Sequence, residues 1–153
     1  MCIRDSYEVV HHTQLIAELI AQRRLSLAPR HERVILHDPC YLGRHNGEYE
    51  APRRALAAVC KDAPLEFALT RDKAMCCGAG GARMHMEETI GRRINVVRVE
   101  QALTRAPAVI ATACPYCAVM ASDGVEALGQ GGKVATRDIA ELVADSLVPA
   151  ARQ

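Results

Sequence analysis

Aromatic residues are scarce in this chain: tryptophan is absent, and one phenylalanine and four tyrosines make up 3% of 153 residues. That removes the stacking platforms on which single-stranded nucleic acids are held. Charge of one sign is also missing. Nineteen Lys and Arg stand against eighteen Asp and Glu, a formal net charge of +1 spread along the sequence, so no basic stripe or acidic tail forms and nucleic acid is not an expected partner. No apolar run approaches the roughly 20 residues of a membrane span, and the start lacks the charged, apolar and small-residue succession of a signal peptide. What is there is half hydrophobic, mostly Ala, Val, Leu and Ile, enough for the core of one compact domain.

Cysteine is the abundant exception. Of seven, five follow one pattern: Cys40, a gap of 35 residues, the adjacent pair Cys76 and Cys77, a gap of 36, then Cys114 and Cys117 around Pro115-Tyr116. An odd count without export signals fits a reducing compartment, so the cytosol is expected and the thiols stay free to bind metal. A tetrahedral zinc would leave one of five thiols spare, and directly adjacent cysteines rarely both reach one small ion. A polynuclear centre accommodates them, which makes an iron–sulfur cluster the leading candidate. A structural zinc and a thiol–disulfide site are the alternatives.

The hydrophobic pattern alternates between two periods. Val9 to Ile20 repeats at helical spacing and ends near Pro29; Val34 to Leu36 reads as a strand, followed by a loop and a helix over Pro52 to Val59. Leu65 to Leu69 reads as a second strand, then a Gly-rich loop and a helix from about Met86 to Leu103, with Ile90, Ile94, Val97 and Leu103 near one face. Two further units follow. Val109 to Ala111 leads to a helix reaching about Leu128, and Val134 to Thr136 to a helix over Asp138 to Leu147, with Asp138 at its start. The expected fold class is therefore α/β, a parallel sheet of about four strands with helices on both faces.

In such a sheet the loops after successive strands leave at one edge. Each cysteine group follows an expected strand, so three loops should bring Cys40, Cys76, Cys77, Cys114 and Cys117 into one pocket. Glycines of the run 78–81 would let backbone N–H groups approach sulfur, and Gly78 is the one expected to do so; the same run could equally be a plain turn. It is not a dinucleotide fingerprint, because the third glycine of that pattern would fall at Arg83. Arg44 and Arg83 are near enough in sequence to offset thiolate charge, although surface roles suit them as well. His37 and His45 flank Cys40, either at the site or as satisfied loop histidines. Cys60, Met84 and Met86 read as packing residues.

The segments HDPCYLGRHNGEYEAPR, MCCGAGGARM, RINVVRVEQAL and ATACPYCAVMASDG together resemble the cysteine-rich CCG domain of heterodisulfide reductase and related iron–sulfur oxidoreductases, over roughly residues 7–148. Among these relatives, the loops most resemble the C-terminal part of large membrane-associated proteins that link electron-transfer flavoprotein to menaquinone. The resemblance implies a Rossmann-like three-layer domain and an electron-transferring oxidoreductase. It implies Cys40, Cys76, Cys77, Cys114 and Cys117 as ligands of a noncubane [4Fe–4S] cluster. Electron-transfer flavoprotein or a flavin dehydrogenase subunit would be the donor, upstream ferredoxin-like and second CCG domains the intermediates, and quinone the acceptor at the cytoplasmic face of the membrane. Disulfide reduction at the cluster, as in the heterodisulfide branch, and a non-catalytic zinc-stabilised module are the alternatives. Residues 1–6 look like translated sequencing adapter, or else a disordered start. On the adapter reading the chain is a C-terminal fragment that begins at Tyr7.

Overall fold

In a computed structural model, which describes residues 7–148, five α-helices and four strands alternate along the chain. The elements are α1 (His12–Ala21), β1 (Val34–Leu36), α2 (Glu50–Ala57), β2 (Leu65–Glu66), α3 (Ile94–Leu103), β3 (Val109–Thr112), α4 (Pro115–Ala127), β4 (Ala135–Asp138) and α5 (Ile139–Asp145). The expectations for residues 1–6 lie outside the described residues. All strand pairs are parallel, in the order β2-β1-β3-β4, with Ile35 opposite Leu65 and Ile110 and with Val109 opposite Ala135. The expected α/β class is what forms.

Alternation along the strands sends side chains to opposite faces. Val34, Leu36 and Ala111 pack with Leu56 of α2, Val59 just beyond that helix, and Ile139 and Leu142 of α5, with Ile16 of α1 against them. Ile35 and Ile110 pack on the other face with Val99 and Ala102 of α3 and Val125 of α4. All three β1 residues are buried, as a central parallel strand covered on both sides requires. Each large aliphatic side chain enclosed this way stabilises the fold by about 1.5–3 kcal/mol.

Two expected elements are shorter than read. β2 stops at Glu66 instead of Leu69 because the chain turns across the end of the sheet: Phe67 goes into the core under α3, and the Arg71 N–H reaches the Asp38 carboxylate at 2.8 Å. The third helix starts at Ile94, not near Met86. Residues 80–85 form tight 3₁₀ turns broken by left-handed Gly81 and Ala82, Gly91 is also left-handed, and Ile90 is 89% exposed. Ile90 stands four residues before Ile94, a helical spacing that here falls across a loop. The buried face of α3 is Asn95, Arg98, Val99 and Ala102. At the last helix Asp138 does cap: its side chain accepts the Ala140 N–H at 2.8 Å while Glu141 accepts the Asp138 N–H at 2.8 Å.

The α3–α4 contact depends on a mid-helix glycine. A Cβ on Gly124 would stand 2.7 Å from a Val99 methyl and 2.9 Å from the Asn95 carbonyl oxygen, so the helix accepts the roughly 1 kcal/mol propensity cost of Gly for close approach. Gly124→Val should therefore destabilise the chain by about 1–3 kcal/mol through overpacking. A lowered urea midpoint with an unchanged m-value checks this.

Candidate metal centre

The strand order reverses direction at β1 and β3: from β1 the chain crosses outward to β2, and from β3 outward to β4 on the other side. The loops after β1 and β3 therefore diverge and leave a crevice at the sheet end, the usual ligand position in doubly wound sheets. Asp38 fixes its first wall. The carboxylate, 5% exposed, accepts two hydrogen bonds from Arg53 of α2 at 2.7 and 2.9 Å and the Arg71 N–H at 2.8 Å. Burial alone would raise its pKa, but the Arg53 guanidinium and the Arg71 N–H hold it below the ordinary value of 3.8. Arg53 also grips Glu66 at 2.7 and 2.9 Å, and Arg44 donates to the carbonyls of Asp72 and Ala74. The loop after β1 is thus tied to the loop that delivers Cys76 and Cys77.

All five sequence-identified thiols meet at this end. Cys77, Cys117 and Met120 form a buried cluster with Cys76 and Cys114 packed against it. Cys40, Cys76, Cys77 and Cys117 line one small cavity together with His37 and Pro39. The Cys117 thiol donates to the Cys77 sulfur at 3.3 Å. That bond, opposed by burial and helped by His37 and the Ala79 N–H, lowers the Cys77 pKa far below the usual thiol value, while Cys117, whose one proton is shared between Cys114 and Cys77, is pushed up. Cys114 is the N-cap residue of α4, with Pro115 at the first helical position. The Cys117 thiol, with N–H groups of the first helical turn, brings Cys114 down to about 6 against the opposing effect of burial. Cys40 is raised, by burial first and then by the neighbouring thiolates.

Gly78 has a structural reason to be glycine. Its φ is +96°, and a Cβ would meet Ile94 Cβ at 3.1 Å and Met120 Cε at 3.2 Å. In that conformation its N–H donates to the Cys76 sulfur at 3.3 Å, the contact expected from the sequence.

Of the two flanking histidines, only His37 is at the site. Buried to 4% exposure, it has a ring nitrogen within 4.8 Å of the Cys77 and Cys117 sulfurs. Its Nδ1 accepts from Arg98 Nε at 3.2 Å. Because a guanidinium only donates, the ring proton sits on Nε2, and His37 serves the sulfurs as a donor and not as a metal ligand. Arg98 is the residue that sequence reasoning missed. The available signal was a charged residue on the face of α3 shared with Val99 and Ala102.

The remaining candidates fall outside the pocket. Arg83 is exposed and pairs with Glu88 at 2.5 Å. His45 is exposed and stacks against Tyr41 at 4.9 Å. Arg44 is exposed and committed to loop carbonyls at the cavity rim. Met84 packs against the thiol cluster as expected, whereas Met86 is exposed and not a packing residue. Cys60 lies in the core under α2, its thiol pushed up to about 11 by burial and by Asp62.

The arrangement suits an anionic, thiolate-held group. Soft donors come from three loops, an N–H faces sulfur, and the buried Arg98 Nη2 behind them has no hydrogen-bond partner. A doubly wound three-layer domain with thiols gathered at its switch point defines the class of cysteine-rich α/β domains. Residues 34–121 match the CCG family, described as a cysteine-rich domain, and the chain belongs to that family.

Three relatives place it further. A probable iron–sulfur-binding oxidoreductase, FadF, of Bacillus subtilis is 46% identical over 94% of this chain and 20% of its own length. The EtfAB:quinone oxidoreductase of Syntrophomonas wolfei is 38% identical over 90% of this chain and 20% of its own. A dihydromethanophenazine:CoB–CoM heterodisulfide reductase component of Methanosarcina barkeri is 34% identical over 92% of this chain and 34% of its own. The chain thus spans between a fifth and a third of the length of these relatives.

Two outcomes follow from the electrostatics. Asp38→Asn should cost about 3 kcal/mol, the low end for breaking a buried ion pair, because Arg53 keeps Glu66. With a depressed folded pKa, Asp38 contributes fully above pH 3.8 and loses that contribution as pH falls through its lower folded value. Urea melts from pH 7 to 2 should therefore show an acid-side loss that is smaller in Asp38→Asn. Second, brief iodoacetamide treatment of the metal-free chain at pH 7 should label Cys114, at about 6, well before Cys60, at about 11; peptide mass mapping checks the order.

Proposed function

We propose that this chain is the electron-transferring segment of an iron–sulfur oxidoreductase, in which Cys40, Cys76, Cys77, Cys114 and Cys117 hold a noncubane [4Fe–4S] cluster. The observation that carries this reading is the convergence of the five thiols, from loops far apart in sequence, at one end of the sheet. The similarity to FadF supports the iron–sulfur chemistry, and the similarity to the EtfAB:quinone oxidoreductase supports the direction of electron flow. Electrons enter from electron-transfer flavoprotein or a flavin dehydrogenase subunit and leave toward menaquinone. Upstream ferredoxin-like and second CCG domains of a longer parent protein complete the path, at the cytoplasmic face of the membrane. Among the described residues no helix is long and apolar enough to cross a membrane, so other parts of the parent would supply the attachment.

Within this scheme the cluster supplies the one-electron chemistry. The chain's own residues do the rest. Asp38, Arg53 and Arg44 hold the loops in register, Gly78 donates to Cys76, and His37 lies beside the Cys77 and Cys117 sulfurs. Core packing of Met120 and Met84 around Cys77 and Cys117 keeps water from these sulfurs.

A second reading, reduction of a disulfide at the same site, is favoured by one feature. Cys114 lies in the wall of a groove of about 760 Å³, lined also by Tyr41, Leu42, Pro115 and Tyr116, which would admit a substrate sulfur. Turnover of a disulfide by the intact parent protein would select this branch, and quinone reduction by reduced flavoprotein the first.

Anaerobic reconstitution tests the cofactor. The expected product is brown, with about four irons per chain, and Cys77→Ser should lose most of that iron. A colourless protein with one tightly held zinc would instead make this a metal-braced interaction module.

A further inference from the structure

Arg98 is a buried cation without a matching anion. It projects from the inner face of α3 and is 4% exposed, with the Phe67 ring centroid 3.4 Å from its Cζ. Nη1 donates to the neutral Gln101 at 3.0 Å, Nε to His37 at 3.2 Å, and Nη2 has no partner. Among the described residues no carboxylate forms an ion pair with it. The buried Asp38 carboxylate is already held by Arg53 and the Arg71 N–H. An unpaired buried guanidinium is strongly destabilising, so a fold retains one where an anion completes it. Cys77 and Cys117 line a small cavity together with Arg98 and His37.

We propose that Arg98 is the built-in counter-charge of the thiolate-held centre, acting through His37 as a positioning residue, and that it raises the reduction potential of that centre. This rests on the iron–sulfur reading above. Each electron taken up makes the centre more negative, and a fixed positive charge buried beside it favours that state far more than a charge in water does. His37 transmits the effect: its Nδ1 is pinned by Arg98, which leaves the proton on Nε2 of a ring that lies within 4.8 Å of the Cys77 and Cys117 sulfurs. Arg44 carries the same charge at the rim of the pocket, where solvent screens it.

The test compares reconstituted wild type with Arg98→Met, Arg98→Lys and Arg44→Met, counting iron and measuring midpoint potentials by EPR-monitored titration. At equal iron, Arg98→Met should shift the reduced-to-oxidised equilibrium at least tenfold toward the oxidised form, about 59 mV lower for one electron. Arg98→Lys should recover most of that shift, and Arg44→Met should move the potential less. If Arg98→Met cannot fold or take up iron while Arg98→Lys does both, the requirement for charge is upheld in another form. Failure of both variants, or equal potentials in Arg98→Met and wild type, overturns the proposal and leaves the function standing. Wild type that takes up zinc and no iron overturns both.

Discussion

Everything at the functional end of this domain follows from the reversal of strand order between β1 and β3. Two adjacent parallel strands whose following loops run in opposite directions cannot close the space between them with backbone. Into that space the sequence puts Cys40 after β1 and Cys114 at the start of α4, after β3, while the loop from β2 returns across the sheet end to deliver Cys76 and Cys77. The long spacings in the sequence are thus single crossovers, each spanned by a helix that covers one face of the sheet. Without the switch point the same thiols would still leave at one end of the sheet, but with no crevice between their loops.

The second requirement is electrostatic. A pocket of thiols becomes costly once they ionise, and the domain offsets this with groups drawn from several elements. Cys117 gives its proton to a bond with Cys77, the first turn of α4 favours a Cys114 thiolate, and Gly78 turns its N–H onto Cys76. None of these requires a surface lysine or arginine, which is consistent with the near-neutral composition of the chain.

The strand–helix alternation, the parallel sheet and the meeting of the five cysteines were legible in the sequence because each rests on short-range signals: β-branched runs, helical periodicity, and cysteines just after strands. Gly78 was legible for the same reason. The start of α3 was not, since Ile90 and Ile94 keep helical spacing across a loop broken by left-handed Gly81, Ala82 and Gly91. Nor was the positive charge behind the thiols. Arg44 and Arg83 were nearer to the cysteines in sequence, but the guanidinium backing the pocket belongs to Arg98, 21 residues beyond Cys77. Distance along the chain predicts ligands that share a loop; it says little about which helix face backs onto them.

The Asp38 carboxylate ties α2, the end of β2 and the loop carrying Cys76 into one unit by hydrogen bonds that involve no sulfur. These bonds hold the cysteine-bearing loops by contacts separate from the thiols themselves, so a change at any one of them would displace Cys76 and Cys77 without touching a sulfur.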